Sequence, residues 1–241
     1  MEFHIQCDPT EISRYCLVPG DPDRARKIAA AFDDSHPVSS TRGYLVLSGK
    51  YRGVFLTVCA TGMGGPTVAI ALEELGHMGA DTFIRVGSCG VLQPGLTAGD
   101  IIISTGAVRL GGTGLSYLPA TFPAVPSHEV TRALVDAAAE NNFPVHVGLN
   151  ASLDGFYAPL PMDDLLRQAG VLAVEMEADT LFTVSQYRGW RRGALFASDG
   201  TPDEVKPGWG EAAFRAGEQK AIQIALDALF RIAEQDTESG K

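Results

Sequence analysis

Residues 54–86 read VFLTVCATGMGGPTVAIALEELGHMGADTFIRV, and this stretch decides the fold. Val54 to Ala60 is a short apolar run with β-branched residues, the signature of a buried strand. Thr61-Gly62-Met63-Gly64-Gly65 then breaks it, and Pro66 suits a first helical position. Val68, Leu72 and Leu75 share one helix face, and Gly79 can take the left-handed stop. A second apolar run, Thr82 to Val86, follows at once. Strand, helix and strand in this order make a crossover unit, which implies an α/β protein.

The same alternation extends outward in both directions. Strands are predicted at 15–18, 44–48, 54–60, 82–86, 100–105, 145–151, 171–174 and 194–197. Helices are predicted at 23–32, 66–78, 127–141, 162–168, 176–187 and 210–234. With no internal repeat, linker or break in composition, the chain reads as a single α/β domain, residues 1–241, with a central mixed β-sheet flanked by helices. Residues 235–241 read as a frayed tail.

The 241 residues carry a formal net charge of −10 and no run of basic residues, which argues against nucleic acid as a partner. No apolar stretch approaches the roughly 20 residues that span a bilayer. The N-terminal residues lack a basic-then-apolar targeting pattern, so a cytoplasmic protein without membrane partners is expected. The cysteines at 7, 16, 59 and 89 show no metal-ligand spacing and read as buried thiols.

Candidate chemistry gathers where strands end, which is where α/β sheets bind ligands. Val18-Pro19-Gly20-Asp21-Pro22-Asp23-Arg24 leads through a glycine turn into a helix, so that backbone N–H groups and the Arg24 guanidinium could face one anion. It is also simply a good turn. Arg85 lies within an apolar strand followed by Gly87-Ser88-Cys89-Gly90, and burying a guanidinium is costly without an anion or a carboxylate beside it. The plainer alternative is a structural salt bridge. Arg42 lies in a turn, where a solvated surface charge is the simpler reading. Glu175 and Glu177 straddle Met176, a pattern suited to a sugar's vicinal hydroxyls or to the start of a helix. Asp199 ends an apolar strand, where a carboxyl shielded from water can act as a general acid or cap a helix. Together these describe a site for phosphate and a sugar-bearing molecule. A Walker-type motif is absent, and Gly62-Met63-Gly64-Gly65 does not complete a dinucleotide fingerprint.

Pro19-Gly20-Asp21-Pro22-Asp23-Arg24, Thr61-Gly62-Met63-Gly64, Arg85-Val86-Gly87-Ser88-Cys89-Gly90, Phe156-Tyr157 and Val174-Glu175-Met176-Glu177, in this order, give the chain a specific likeness. From about His4 to Ala228 it resembles the hexameric-type nucleoside phosphorylases, which include bacterial purine nucleoside phosphorylase and uridine phosphorylase. The resemblance implies phosphorolysis of a nucleoside without metal or organic cofactor, with inorganic phosphate as a substrate. By it, Gly20, Arg24, Arg85 and Ser88 hold phosphate, joined by Arg42 from a neighbouring subunit. His4, also from across the dimer interface, meets the ribose with Met63, Met176 and Glu177. Cys89, Gly90, Phe156, Val174, Glu175 and Ser198 surround the base. Asp199, assisted by Arg215, protonates the departing purine, although Arg215 stands farther from Asp199 in sequence than the family's usual spacing.

The resemblance further implies a homohexamer built as a trimer of dimers. Within it the site residues stand nearer the purine branch. Uridine phosphorylases place a Gln and an Arg shortly after the Phe-Tyr pair, whereas Leu160 and Met162 stand here, and the segment to Glu175 is short. Uridine phosphorolysis is the first alternative. A nucleosidase using water would have no need of three converging arginines. A catalytically silent relative is the third reading.

Overall fold

The computed structural model describes residues 2–200 and 211–240. Nine strands form one mixed sheet: β1 (Tyr15–Leu17), β2 (Asp34–Thr41), β3 (Tyr44–Tyr51), β4 (Val54–Ala60), β5 (Thr82–Val91), β6 (Ile101–Arg109), β7 (His146–Ser152), β8 (Ala173–Glu175) and β9 (Arg191–Ser198). The helices are α1 (Pro22–Ala29), α2 (Gly65–His77), α3 (His128–Glu140), α4 (Asp163–Gln168), α5 (Ala178–Arg188) and α6 (Ala212–Glu238). The strand order is β2-β3-β4-β1-β5-β8-β7-β6-β9, with a further β5–β9 pairing. That pairing closes β5, β8, β7, β6 and β9 into a ring, and β2, β3, β4 and β1 extend from it as an open wing. None of the described helices is long and apolar enough to cross a membrane.

Alternate residues of the central strands serve opposite helical layers, as the two-residue period of a strand requires. Ile84, Val86, Ile101, Ile103 and Leu195 pack under α1, α3 and α6. Phe83, Ile102, Ala194 and Phe196 pack under α2 and α5. Leu72 and Leu75 of α2 are fully buried in that second layer, worth about 1.5–3 kcal/mol each. All four cysteines are buried. By its position in β5, Arg85 belongs to the face covered by α2 and α5.

Three differences from the sequence reading have physical causes. Strand β2 has no predicted counterpart, because it lies at the sheet's edge, is exposed along most of its length and contains Pro37. Its hairpin to β3 turns on Arg42 and Gly43, both at positive φ (51° and 90°), the backbone of a tight two-residue hairpin turn. Strand β5 runs on to Val91 through glycines expected as a loop, because it changes partner: residues 82–89 pair with β9, and Gly90 and Val91 with β8. Finally, α6 continues to Glu238 in place of a frayed tail. Asp236 is buried there, accepts a hydrogen bond from the Tyr15 hydroxyl at 2.9 Å, and pairs with Arg191 at 2.5 Å.

Candidate active site

A cavity of about 720 Å³ opens along β5, from Arg85 to Gly90. Five strand steps between these residues span roughly 16 Å. The cavity gathers Gly20, Arg24, Met63, Arg85, Ser88, Cys89, Gly90, Phe156, Val174, Glu175, Met176, Glu177 and Asp199, all singled out from sequence. Asp21, Pro22, Gly62, Leu153 and Tyr157 complete its lining.

One end is built from cations held by carboxylates. Arg24 is buried; its Nε donates to Glu218 Oε1 at 2.8 Å and its Nη1 to the Val86 carbonyl at 3.2 Å. Lys27 donates to the other Glu218 oxygen at 2.5 Å. Burial pushes the Glu218 carboxyl up, but its bonds from Lys27 and Arg24 outweigh this and hold it below the usual range. Arg85 Nε donates to Glu175 Oε2 at 3.2 Å, and its Nη2 bonds Glu177. Its Nη1 is buried without a hydrogen-bond partner among the described residues. A buried donor left unsatisfied is costly, so this nitrogen marks where an acceptor belongs.

Glycine permits both close approaches around that nitrogen. A Cβ at Gly87 would stand 3.1 Å from Arg85 Nη2 and 2.9 Å from the Phe196 ring, so glycine leaves the guanidinium room to fold back along its strand. A Cβ at Gly20 would meet the Gly62 carbonyl at 2.8 Å, with Arg85 Nη1 next at 3.9 Å. The two loops are tied together there by the Gly62 amide, which donates to the Gly20 carbonyl at 3.0 Å.

Glu177 sits at the start of α5, accepting from the Gly64 amide at 2.7 Å as well as from Arg85. Its two oxygens therefore stand beside Met63 and Met176 with lone pairs to spare. Glu175 is more committed. It accepts from Arg85, Asn150, Ser152 and the amides of Glu177 and Ala178. Burial pushes its carboxyl up to about 7; Arg85 pulls it down, and the Glu177 charge adds to the rise. The salt-bridge and helix-start readings of Arg85 and Glu175 are thus both realised, alongside one buried guanidinium donor left without a partner among the described residues.

At the other end Asp199 is buried, and its amide donates to the Cys89 carbonyl at 2.9 Å, which places it beside Cys89 and Gly90. Val174 pairs with Gly90 across β8 and β5. Phe156 and the strongly exposed Tyr157 also line the cavity.

Several expected residues lie elsewhere in the single chain. Ser198 is buried and its hydroxyl bonds the Thr97 carbonyl, so it does not line the cavity. Arg215 is exposed in the first turn of α6. Arg42 stacks on Phe3 at the hairpin tip, 4.5 Å from the ring centroid, and His4 is held by Glu74 at 2.6 Å; neither reaches the cavity of its own chain. Leu160 packs against the cluster of Leu92 and Leu166, and Met162 takes a left-handed backbone before α4; neither lines the cavity. The segment 201–210 lies outside the described residues.

Sequence reasoning missed Glu218, Asn150 and Ser152, which hold the residues that line the cavity. The signal for Glu218 was available. It stands with Ala221, Ile222 and Ala225 on the buried stripe of α6, a position where a carboxylate needs a partner.

Comparison with known proteins agrees with this geometry. A family profile described as the phosphorylase superfamily matches residues 14–233. The chain is 43% identical to a uridine phosphorylase of Thermococcus kodakarensis, covering 99% of this chain and 89% of that protein. It is 40% identical to a guanosine phosphorylase of Halorubrum lacusprofundi over 82% of each, and 37% identical to a uridine phosphorylase of Treponema pallidum over 98% and 96%. A cavity with paired arginines and glutamates and similarity along nearly the whole length lead to one conclusion: the chain belongs to the phosphorylase superfamily, as an enzyme of the nucleoside phosphorylase type.

Proposed function

We propose that the enzyme cleaves purine nucleosides by phosphorolysis, releasing the free base and the pentose 1-phosphate. The observation that carries the purine reading is Asp199, a carboxyl in the cavity wall beside Cys89 and Gly90. Among the described lining residues there is no Gln or Asn side chain to read uracil's oxygens and nitrogen by hydrogen bonds.

Phosphate enters at the Arg85 end, where Gly20, Arg24, Ser88 and the open Nη1 of Arg85 receive it. Glu177 accepts from the ribose hydroxyls. A phosphate oxygen bonds the anomeric carbon as the glycosidic bond breaks, and its electron pair moves into the base. A purine accepts that charge best when N7 takes a proton, which Asp199 supplies. Arg215, one helical turn into α6, is the candidate to assist it.

A homo-oligomer with shared sites belongs to the same proposal. Arg24, Lys27 and Arg85 face three carboxylates, Glu175, Glu177 and Glu218, so much of the positive charge at this end of one chain is already compensated. A phosphate dianion needs one more cation, and Arg42 of a second copy would supply it, with His4 beside the ribose. Dilution below the assembly's dissociation range is expected to abolish activity; a fully active monomer would refute the sharing.

Uridine phosphorolysis is the second reading, favoured by the names of two of the three relatives above. The test is product formation from guanosine, inosine and uridine, each with and without inorganic phosphate. Purine cleavage that requires phosphate supports the proposal. A preference for uridine selects the second reading, and cleavage independent of phosphate rejects both.

A further inference from the structure

Strand β6 carries an irregularity that leads, through buried polar side chains, to the anion end of the cavity. Its pairing with β7 shifts between Ser104 and Gly106, so Thr105 is an extra residue that faces solvent. Such bulges re-aim neighbouring side chains and recur next to active sites. Here Ser104 points inward and donates to the Asn150 Oδ1 of β7 at 2.6 Å. This bond leaves the Asn150 amide nitrogen to face Glu175, and Nδ2 donates to Glu175 Oε1 at 3.1 Å. The other Glu175 oxygen receives Arg85 Nε. Ser104, Asn150 and Ser152 have no exposed surface, and Glu175 and Arg85 are almost fully buried.

We propose that Asn150, oriented by Ser104, is a positioning residue for phosphate binding. It donates to Glu175, and Glu175 in turn holds the Arg85 fork for the anion. An ionised carboxylate only accepts, so the amide nitrogen faces Glu175 and the Ser104 hydroxyl completes the amide by donating to its oxygen. The inference rests on the proposed phosphate site. The charged groups facing Glu175 are Arg85 from β5 and Glu177 at the start of α5; Asn150 and Ser152 face it from β7.

The test is steady-state kinetics of the whole enzyme with inorganic phosphate varied, using whichever of guanosine and uridine it cleaves. Asn150→Leu keeps the shape and removes the donor; Ser104→Ala keeps the amide and frees its orientation. Each is expected to raise the phosphate KM, by about ten-fold for Asn150→Leu and less for Ser104→Ala, as for loss of one hydrogen bond to a charged group. The nucleoside KM should stay within about two-fold, since that binding interaction is untouched.

The pH profile gives a second readout. Losing a donor disfavours ionised Glu175, so the acid limb of kcat/KM for phosphate should move to higher pH in Asn150→Leu. If Asn150→Leu does not fold, Ser104→Ala decides alone. Equal rises in both KM values, or an unshifted limb with a lower Tm, would overturn the positioning role. Arg85→Ala separates the two levels. If it raises the phosphate KM while the other variants do not, only the positioning role fails; if it leaves the phosphate KM unchanged, the phosphate site fails with it.

Discussion

The two ends of the cavity are held in different ways. At the anion end, Arg24 and Arg85 are buried and their directions are fixed by Glu218, Glu175 and Glu177, with distances from 2.8 to 3.2 Å where the geometry is ordinary. On the cavity's rim, Tyr157 is 96% exposed and Phe156 is 51% exposed, and both come from the connection between β7 and α4. A preorganised array binds an anion whose shape never changes. An open wall of aromatic side chains on a connecting segment can change its base without disturbing that array. Under the proposed function, phosphate binding belongs to the sheet and the choice of base to what lies over it.

Asp199→Asn would break the comparison most strongly, because Asp199 is the buried acid within an otherwise open end. It should lower kcat for guanosine or inosine by roughly 10²- to 10⁴-fold if it supplies the proton. Nucleosides of 7-methylated purines, already cationic, should lose far less. Equal losses on both, measured side by side, would remove the acid role.

Next is Arg85→Ala, which strikes the rigid end. Removing a charge-assisted partner of a buried anion costs on the order of 2–5 kcal/mol, and it also leaves Glu175 and Glu177 facing each other unpaired. The loss should appear in kcat/KM for phosphate, and an unchanged value in a folded variant would contradict the assignment.

A smaller effect is expected from Glu218→Gln, which lines nothing but orients Arg24. The phosphate KM should rise about ten-fold, the size of one lost bond between charged groups. Its contribution to folding has a defined sign. The Glu218 carboxyl is held below its usual pKa by Lys27 and Arg24, so its stabilisation is complete above the unfolded value and fades as pH falls through the lowered one. Thermal melts of wild type and Glu218→Gln should therefore converge in acid and separate near neutrality. Melts that stay equally far apart would show that the ion pairs are not the cause.

The smallest effect belongs to Tyr157→Ala. So exposed a ring should change the nucleoside KM by a factor of a few and leave the phosphate KM alone, since about 1 kcal/mol is typical for a stacking contact. A large change in phosphate binding would mean that the two ends are coupled.

Much of this was legible from local pattern. Residues 54–86 specify strand, helix and strand because period and punctuation are properties of consecutive residues. Gly20, Arg24, Glu177 and Asp199 stand where strands end or helices begin, and Arg85 and Ser88 lead toward glycines read as a strand end, so the sequence alone suggested a common site. What needed the fold was everything set by distant neighbours. Strand β2 exists because β3 offers an edge, and β5 extends through its glycines because β9 and β8 take it in turn. Asp236 converts an expected tail into helix by meeting Arg191, 45 residues away. Glu218 meets Arg24 across 194 residues, and Asn150 meets Glu175 only because β7 and β8 are neighbours. Sequence determined which residues could form strands, helices and an anion site, since those preferences are local; the tertiary structure decided which carboxylate holds which arginine, because a buried charge takes its partner from whatever the packed sheet brings within reach.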